Sequence, residues 1–446
     1  MSADSLLVHP GPPLSGSLTP PGDKSITHRA YLCALLAEGD STITGANPGA
    51  DCAATLAAAG MLGLERRSSA DGVRLSGCGM QPREPETVID CGNSGTTLRL
   101  LAGILAAQPF LSVLTGDASL NRRPVARVVE PLRRMGASLW ARSGDRLPPL
   151  AIRGARLRPL RYELPIPSAQ VASCVLLAGL FAEGETSVAI PGPARDHTER
   201  LLRALGVVVE ERALPGGGRQ VAVTGPVRFR GARLRVPGDF SAAAFFLAAA
   251  AAIPGARVTA TNVNLNPLRT GLLDVLEAMG AGVEREAVRL ECGEEVGAVT
   301  VTGPDRLRAF DVPAEWVPRL VDEVPAWVIA ATSAAGVSRI RGAQELRVKE
   351  SDRLSALARN LAALGVEVRE HTDGLEITGG PVGGGVIAAE HDHRMAMTFA
   401  TLGIRARAPI RIDGAATIAT SYPDFAETLG SLGGRVEAVV PGARRP

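Results

Sequence analysis

PGDKSITHRAYLCALLAEG, residues 21–39, sets a short polar cluster around Lys24-Ser25 directly against an Ala- and Leu-rich run with the length and composition of a helix. The same passage recurs five times. Asn93-Ser94-Gly95-Thr96, Ser168-Ala169-Gln170, Asp239-Phe240-Ser241, Asp322-Glu323 and Asp392-His393-Arg394 each lead into an apolar helical pattern. The six starts, at 24, 93, 168, 239, 322 and 392, are separated by 69, 75, 71, 83 and 70 residues. In every copy a Gly- or Pro-marked turn and a short strand follow, and then a second helix that ends in an apolar residue plus glycine. Those ends are Leu62-Gly63, Met135-Gly136, Leu205-Gly206, Met279-Gly280, Leu364-Gly365 and Leu432-Gly433. Glycine just past a helix closes it as a C-terminal cap. Alternating stretches such as Val207-Val208-Val209-Glu210 and Val366-Glu367-Val368 then predict a strand.

Periods this long do not suit a solenoid and fit an α/β chain of two similar domains, three repeats in each. The break falls near Arg235–Gly238, where the fourth repeat begins. The expected N-terminal domain is residues 22–237. The C-terminal domain is discontinuous, residues 1–21 plus 238–446, with the Pro-rich segment before Lys24 supplying it with a strand.

Composition narrows the function. Hydrophobic residues are 46% and charged residues 21% of the 446, which supports a packed core rather than disorder. Forty-eight basic residues against 46 acidic ones leave a net charge of +2, without the basic excess of a nucleic-acid or membrane-surface binder. Aromatics are only 3%, too few for base-stacking platforms. Cys33, Cys52, Cys78, Cys91, Cys174 and Cys292 form no Cys-x-x-Cys pair and match no zinc or disulfide framework, so free thiols are expected. MSADSLLVHPGPP lacks the charged and apolar regions of a signal peptide. The longest apolar run, Phe240 to Ile253, falls short of the roughly 20 residues needed to span a bilayer. These features predict a cytoplasmic protein with no nucleic-acid or membrane partner. No Walker-A sequence or strand-linked Gly-x-Gly-x-x-Gly indicates a nucleotide. His391 and His393, one residue apart and without a cluster of further ligands, do not predict a metal.

The chemistry is concentrated at the six helix starts. Free N–H groups and positive dipole ends, gathered by the repeat symmetry onto one cleft, would suit an anion; six ordinary caps are the plainer account. Lysine usage favours the former. Lys occurs only at positions 24 and 349, so arginine supplies the other 46 basic residues. Exchange to arginine is tolerated on a surface but not where a compact ammonium must fit. Both lysines lie in dense polar motifs, Pro21–Arg29 and Arg347-Val348-Lys349-Glu350-Ser351-Asp352-Arg353. The second is expected to open a helix, placing Lys349 and Arg353 on one face. Arg123, Arg195 and Arg394 are further candidate cations, Gly92–Thr97 is a candidate backbone cradle, and Asp322 is either a helix cap or a functional acid.

The segments Pro21–Arg29, Gly92–Arg99, Leu114–Gly136, Ser168–Gln170, Arg195–Glu199, Asp322–Pro325, Glu345–Arg353, Asp392–Arg394 and Thr420–Asp424 together resemble, in order, the signatures of the 3-phosphoshikimate 1-carboxyvinyltransferase family. Gly116–Leu120 and Arg195–Glu199 are most similar to its bacterial class II branch. The resemblance implies two domains of three βαβαββ repeats, with helix N-termini facing an interdomain cleft that closes on substrate. It also implies a monomer that needs neither metal nor organic cofactor. The implied substrates are phosphoenolpyruvate and shikimate 3-phosphate, with glyphosate a candidate inhibitor.

By similarity, Lys24, Ser25, Arg29, Ser168, Ala169, Gln170, Arg195, Asp322 and Lys349 hold shikimate 3-phosphate. Lys24, Asn93, Gly95, Arg123, Gln170, Arg353 and Arg394 hold phosphoenolpyruvate. Asp322 is the implied base and Glu350 the implied proton donor and acceptor, with Lys24 or Lys349 assisting. Two positions depart from the family pattern. Thr420 stands where many relatives have lysine, and Glu345 where some have asparagine. Two rival readings remain. One is the sister transferase acting on a UDP-amino sugar, which typically has a Lys-Asn pair and a loop cysteine; here Ser25 follows Lys24 and Phe110–Arg123 contains no Cys. The other is an RNA-end-binding protein of related repeat fold, which the near-neutral charge disfavours.

Overall fold

The computed structural model describes residues 4–69 and 72–439. By its contacts the chain divides into two compact units. One comprises Met1–Pro21, Gly238–Arg289 and Glu295–Pro446; the other comprises Gly22–Pro237 and Leu290–Glu294.

The second repeat shows the pattern. Strand Ile89–Asp90, helix Gly95–Leu105, strand Leu111–Thr115, helix Ala126–Met135 and strands Ser138–Ala141 and Leu147–Arg153 follow in chain order. The first strand pairs parallel with the second, through Ile89 and Leu114. The last strand lies between the other two antiparallel strands, with Arg153 opposite both Leu111 and Ser138. Six such four-stranded sheets are present among the described residues, three in each unit.

The leading helices are α1 (Lys24–Leu36), α2 (Gly95–Leu105) and α3 (Ala169–Gly179) in one unit, and α4 (Phe240–Ala252), α5 (Val324–Ala331) and α6 (His393–Leu402) in the other. Each is largely buried within its unit. Every residue of α4 is buried, which is why its sequence is apolar all round rather than striped. Helices α2 and α3 pack so closely that a methyl group on Gly103 would lie 2.2 Å from the Cys174 carbonyl oxygen. Only glycine fits there.

Strands contributed from a distance complete the repeats. Arg233–Arg235 pairs parallel with Asp40–Thr44 and supplies the first repeat with its leading strand. Ser15–Leu18 does the same for the fourth repeat, beside Arg257–Asn264. Ser5–His9 closes the sixth repeat between Ile410–Asp413 and Arg435–Val439. The segment before Lys24 therefore contributes two strands to the unit that contains α4–α6.

Five of the six leading helices carry a side-chain cap. Asp23 accepts from Ile26 N, Ser94 from Thr97 N, Ser168 from Val171 N, Asp239 from Ser241 N and Asp392 from Arg394 N. α5 is the exception. Its N-cap is Glu323, without a capping bond, and Asp322 lies one residue further out in the turn Val321–Glu323. Asp322 is thus not a cap. Among the described residues, no helix is long and apolar enough to cross a membrane.

Candidate active site

In the unit containing α1–α3, the candidate groups gather at the starts of these helices. The Lys24 ammonium lies 2.5 Å from a carboxylate oxygen of Asp51, a buried acid in helix Ala50–Met61. The next turn of α1 carries Arg29. Its Nε donates to Thr198 Oγ1 at 2.6 Å, Nη1 to the Ser25 carbonyl at 2.9 Å and Nη2 to Ser173 Oγ at 2.8 Å. Burial lowers Arg29 from the ordinary guanidinium range, against the opposing charge of Glu199.

Helix α1 is tied to α2 by a buried chain of polar groups. His28 Nδ1 meets Thr55 Oγ1 at 2.6 Å, Thr55 meets Thr97 Oγ1 at 2.5 Å, and Thr97 donates to Ser94 Oγ at 2.7 Å. Burial, with the charges of Lys24 and Arg29, holds His28 well below the usual imidazole range, so the ring is neutral at pH 7.

Around α2, Arg123 donates to the Asn93 carbonyl at 3.2 Å and to Asn93 Oδ1 at 2.5 Å. Asn93 Nδ2 in turn donates to Asp117 Oδ2 at 2.6 Å. Gln170, in the first turn of α3 beside Ala169, donates to Thr96 Oγ1 at 3.1 Å and accepts from Arg99 Nη1 at 2.9 Å. Arg99 also reaches the Gly95 and Pro124 carbonyls. Arg195 stands in the segment leading to helix His197–Ala204.

In the other unit, Asp322, Lys349, Glu350, Arg353 and Arg394 come together. Arg353, 1% exposed, is the hub. Its Nε and Nη2 donate to the Asp392 carboxylate at 2.7 and 3.3 Å, Nη2 to Glu350 Oε2 at 2.6 Å, and Nη1 to Asp322 Oδ1 at 3.4 Å. The Lys349 ammonium is 3.6 Å from Asp322 Oδ1 and 2.5 Å from Glu345. Arg394 Nη1 donates to the Asp322 backbone carbonyl at 2.6 Å.

One expectation is corrected here. Lys349 and Arg353 do not share a helical face, because Asp352 accepts from Ser355 N at 3.1 Å and starts the helix at Arg353. Lys349 lies in the connection before it, and the two cations meet through Asp322 instead. Asp51, Arg99, Asp117 and Asp392 also join these groups, and no motif in the sequence marks their side chains for it. An acid in the Ala-rich Ala50–Met61 helix, and an arginine in the apolar α2, were the available signals.

The Arg353–Asp392 pair gives a prediction. Burial alone would raise the Asp392 carboxyl, but Arg353 and, less strongly, His393 overcome this and the opposing Glu350, and hold it below its usual range. A depressed carboxyl contributes stability that is present above its unfolded pKa, about 4, and is lost as pH falls through the folded value. Urea midpoints measured from pH 7 downward will therefore fall more steeply for the natural chain than for Asp392→Asn.

Comparisons with known proteins establish the family. The family model described as EPSP synthase (3-phosphoshikimate 1-carboxyvinyltransferase) matches residues 8–429. The chain belongs to the EPSP synthase family. A 3-phosphoshikimate 1-carboxyvinyltransferase of Synechococcus sp. (strain JA-3-3Ab) is 46% identical, with 97% of each chain covered. That of Anaeromyxobacter sp. (strain K) is 48% identical, covering 95% of this chain and 94% of that one. The solved EPSP synthase of Acinetobacter baumannii has a TM-score of 0.86 and 41% identity, covering 97% of this chain and 99% of that chain. As a member of the EPSP synthase family the chain is a transferase of the shikimate pathway, and its reaction is enolpyruvyl transfer from phosphoenolpyruvate to shikimate 3-phosphate.

Proposed function

We propose that Asp322 is the base and Glu350 the proton carrier of an addition–elimination at the 5-hydroxyl of shikimate 3-phosphate. The observation that carries this reading is that two carboxylates share one buried guanidinium: Glu350 at 2.6 Å and Asp322 at 3.4 Å from Arg353. Such a pair can divide the roles of acid and base, provided that their surroundings separate their affinities for the proton.

In the addition, Asp322 takes the hydroxyl proton as the oxygen bonds to C2 of phosphoenolpyruvate, while Glu350 protonates the methylene carbon to methyl. In the elimination, Glu350 takes a proton back from that methyl as the C–O bond to phosphate breaks, and the proton held by Asp322 leaves with the phosphate. The net result is one new ether bond and one phosphate released. Both substrates are polyanions, so bringing them together costs Coulomb energy that fixed cations offset. We assign Lys24, Ser25, Arg29, Ser168, Ala169, Gln170, Arg195, Asp322 and Lys349 to shikimate 3-phosphate, and Lys24, Asn93, Gly95, Arg123, Gln170, Arg353 and Arg394 to phosphoenolpyruvate. The assignment rests on the family resemblance and on the clustering of these groups within each unit. No step calls for a metal or an organic cofactor. We also read the chain as cytoplasmic and without a nucleic-acid partner, on its six free thiols and balanced charge, and as a monomer on the family resemblance alone.

The reaction run in deuterium oxide tests the proton roles. The natural chain will place deuterium in the vinyl methylene of the product and of recovered phosphoenolpyruvate. Glu350→Gln will lose this exchange. Exchange at the natural rate in Glu350→Gln would remove Glu350 from the role.

Glyphosate sensitivity is expected to turn on Gly95. A methyl group there would lie 2.5 Å from Arg99 Nη1, the group that holds Gln170, and 3.7 Å from Arg123 Nη1. Gly95→Ala must therefore displace the Arg99 guanidinium and narrow the phosphoenolpyruvate pocket proposed here. Its inhibition constant for glyphosate, the longer molecule, will rise by a larger factor than its KM for phosphoenolpyruvate. An unchanged ratio of the two constants would remove Gly95 from that pocket.

A further inference from the structure

The compact unit of residues 22–237 includes one stretch from elsewhere in the chain, Leu290–Glu294. This is the tip of the hairpin formed by strands Gly282–Glu291 and Glu294–Thr302. The turn residues, Cys292 and Gly293, have φ of 52° and 77°. A two-residue turn with both φ positive matches the twist of a hairpin, but cysteine is an unusual occupant of the left-handed region. Here it is held by packing. Cys292 is buried in the core cluster of this unit, and its Sγ lies 3.3 Å from the Arg235 carbonyl oxygen.

The tip delivers a carboxylate. Glu294 is fully buried, and its Oε1 meets His197 Nδ1 at 2.7 Å while Oε2 lies 3.7 Å from Arg200 Nε. Arg200 Nε also donates to Asp196 Oδ2 at 2.8 Å, and Arg200 Nη1 donates to the Gly293 carbonyl at 3.4 Å. Asp196, His197 and Glu294 thus present ligand atoms within 4.8 Å of one another. The Arg200 guanidinium already supplies the positive charge that a metal would bring to them, so the cluster is closed as an ion-pair network. What it fixes is the first turn of helix His197–Ala204 and Asp196, the residue next to Arg195.

We infer that Glu294 is a positioning residue for shikimate 3-phosphate: by fixing His197 and Arg200, and through Arg200 Asp196, it sets the direction from which Arg195 meets the substrate phosphate. The inference rests on the assignment of Arg195 to that substrate. Glu294 acts through its neighbours, so its loss should change binding of one substrate rather than the chemical step. Glu294→Ala is expected to raise the KM for shikimate 3-phosphate about tenfold, with kcat and the KM for phosphoenolpyruvate within about twofold of the natural values. Glu294→Gln, which keeps an acceptor for His197, is expected to recover most of the loss.

Because Glu294→Ala leaves buried partners behind, Gly293→Ala provides a second probe that removes no charge. Its methyl group would lie 2.5 Å from the Arg200 carbonyl oxygen at a φ of +77°, so it shifts the tip. It should raise the same KM selectively. Arg195→Ala, measured alongside, separates the two ideas. If Arg195→Ala weakens shikimate 3-phosphate but both tip variants, shown folded by circular dichroism, bind it normally, the positioning role is wrong. If Arg195→Ala itself leaves that KM unchanged, the assignment of Arg195 is wrong. A parallel loss of kcat and of both KM values in the tip variants would reduce the network to general stability and overturn the inference.

Discussion

Asp322→Asn will lower kcat about 10²- to 10⁴-fold, the range expected when a positioned general base is removed. Asparagine keeps the size and one acceptor of the side chain but cannot take the hydroxyl proton. The structure keeps this acid out of a capping role. The other five leading helices spend a side chain on their own cap, whereas α5, with Glu323 at its N-cap, does not. Asp322 is left facing Lys349 at 3.6 Å and Arg353 at 3.4 Å, with its backbone carbonyl held by Arg394. Those cations hold the side chain in place without a covalent or steric lock. Both KM values should change far less than kcat, since the substrates are assigned mainly to other groups. Steady-state kinetics at saturating substrates, with a thermal melt to confirm folding, will show this. A kcat within threefold of the natural value would exclude Asp322 as the base.

Lys24→Arg and Lys349→Arg will each lose about 10²-fold in turnover although the charge is kept. A misplacement of about 1 Å at a reacting centre is enough for a loss of this size. Each ammonium sits against a carboxylate at 2.5 Å: Lys24 on the 7% exposed Asp51, and Lys349 on Glu345, with Asp322 beyond. The planar fork of arginine is wider and would pair with these acids in a different geometry, pulling the charge away from substrate. The measurement is turnover of each variant at saturating substrates, with circular dichroism as the folding control. Near-normal turnover in both would make the two surviving lysines accidents of an arginine-rich composition.

The repeats were legible because caps, glycine stops and apolar runs are local signals, and each of the six helix starts and ends read from the sequence has its counterpart in the structure. The pairing that closes the repeats was less so. Ser5–His9 joins Ile410–Asp413 and Arg435–Val439 across nearly the whole chain, and only the existence of a strand before Lys24 could be read. The cations were found through the scarcity of lysine and through motif resemblance. Two of their acidic partners were not, because Asp51 and Asp392 meet Lys24 and Arg353 by tertiary packing that leaves no periodic trace. The helix expected over Lys349 failed at a single residue. Asp352 is a strong N-cap, and its preference for that position outweighed the continuous charged pattern around it.

Enolpyruvyl transfer to shikimate 3-phosphate is tested most directly by phosphate release from phosphoenolpyruvate with each acceptor in turn. With shikimate 3-phosphate the purified chain will release one phosphate for each enolpyruvyl ether formed, and with UDP-N-acetylglucosamine it will release none. Release with the UDP-sugar and not with shikimate 3-phosphate would contradict the account.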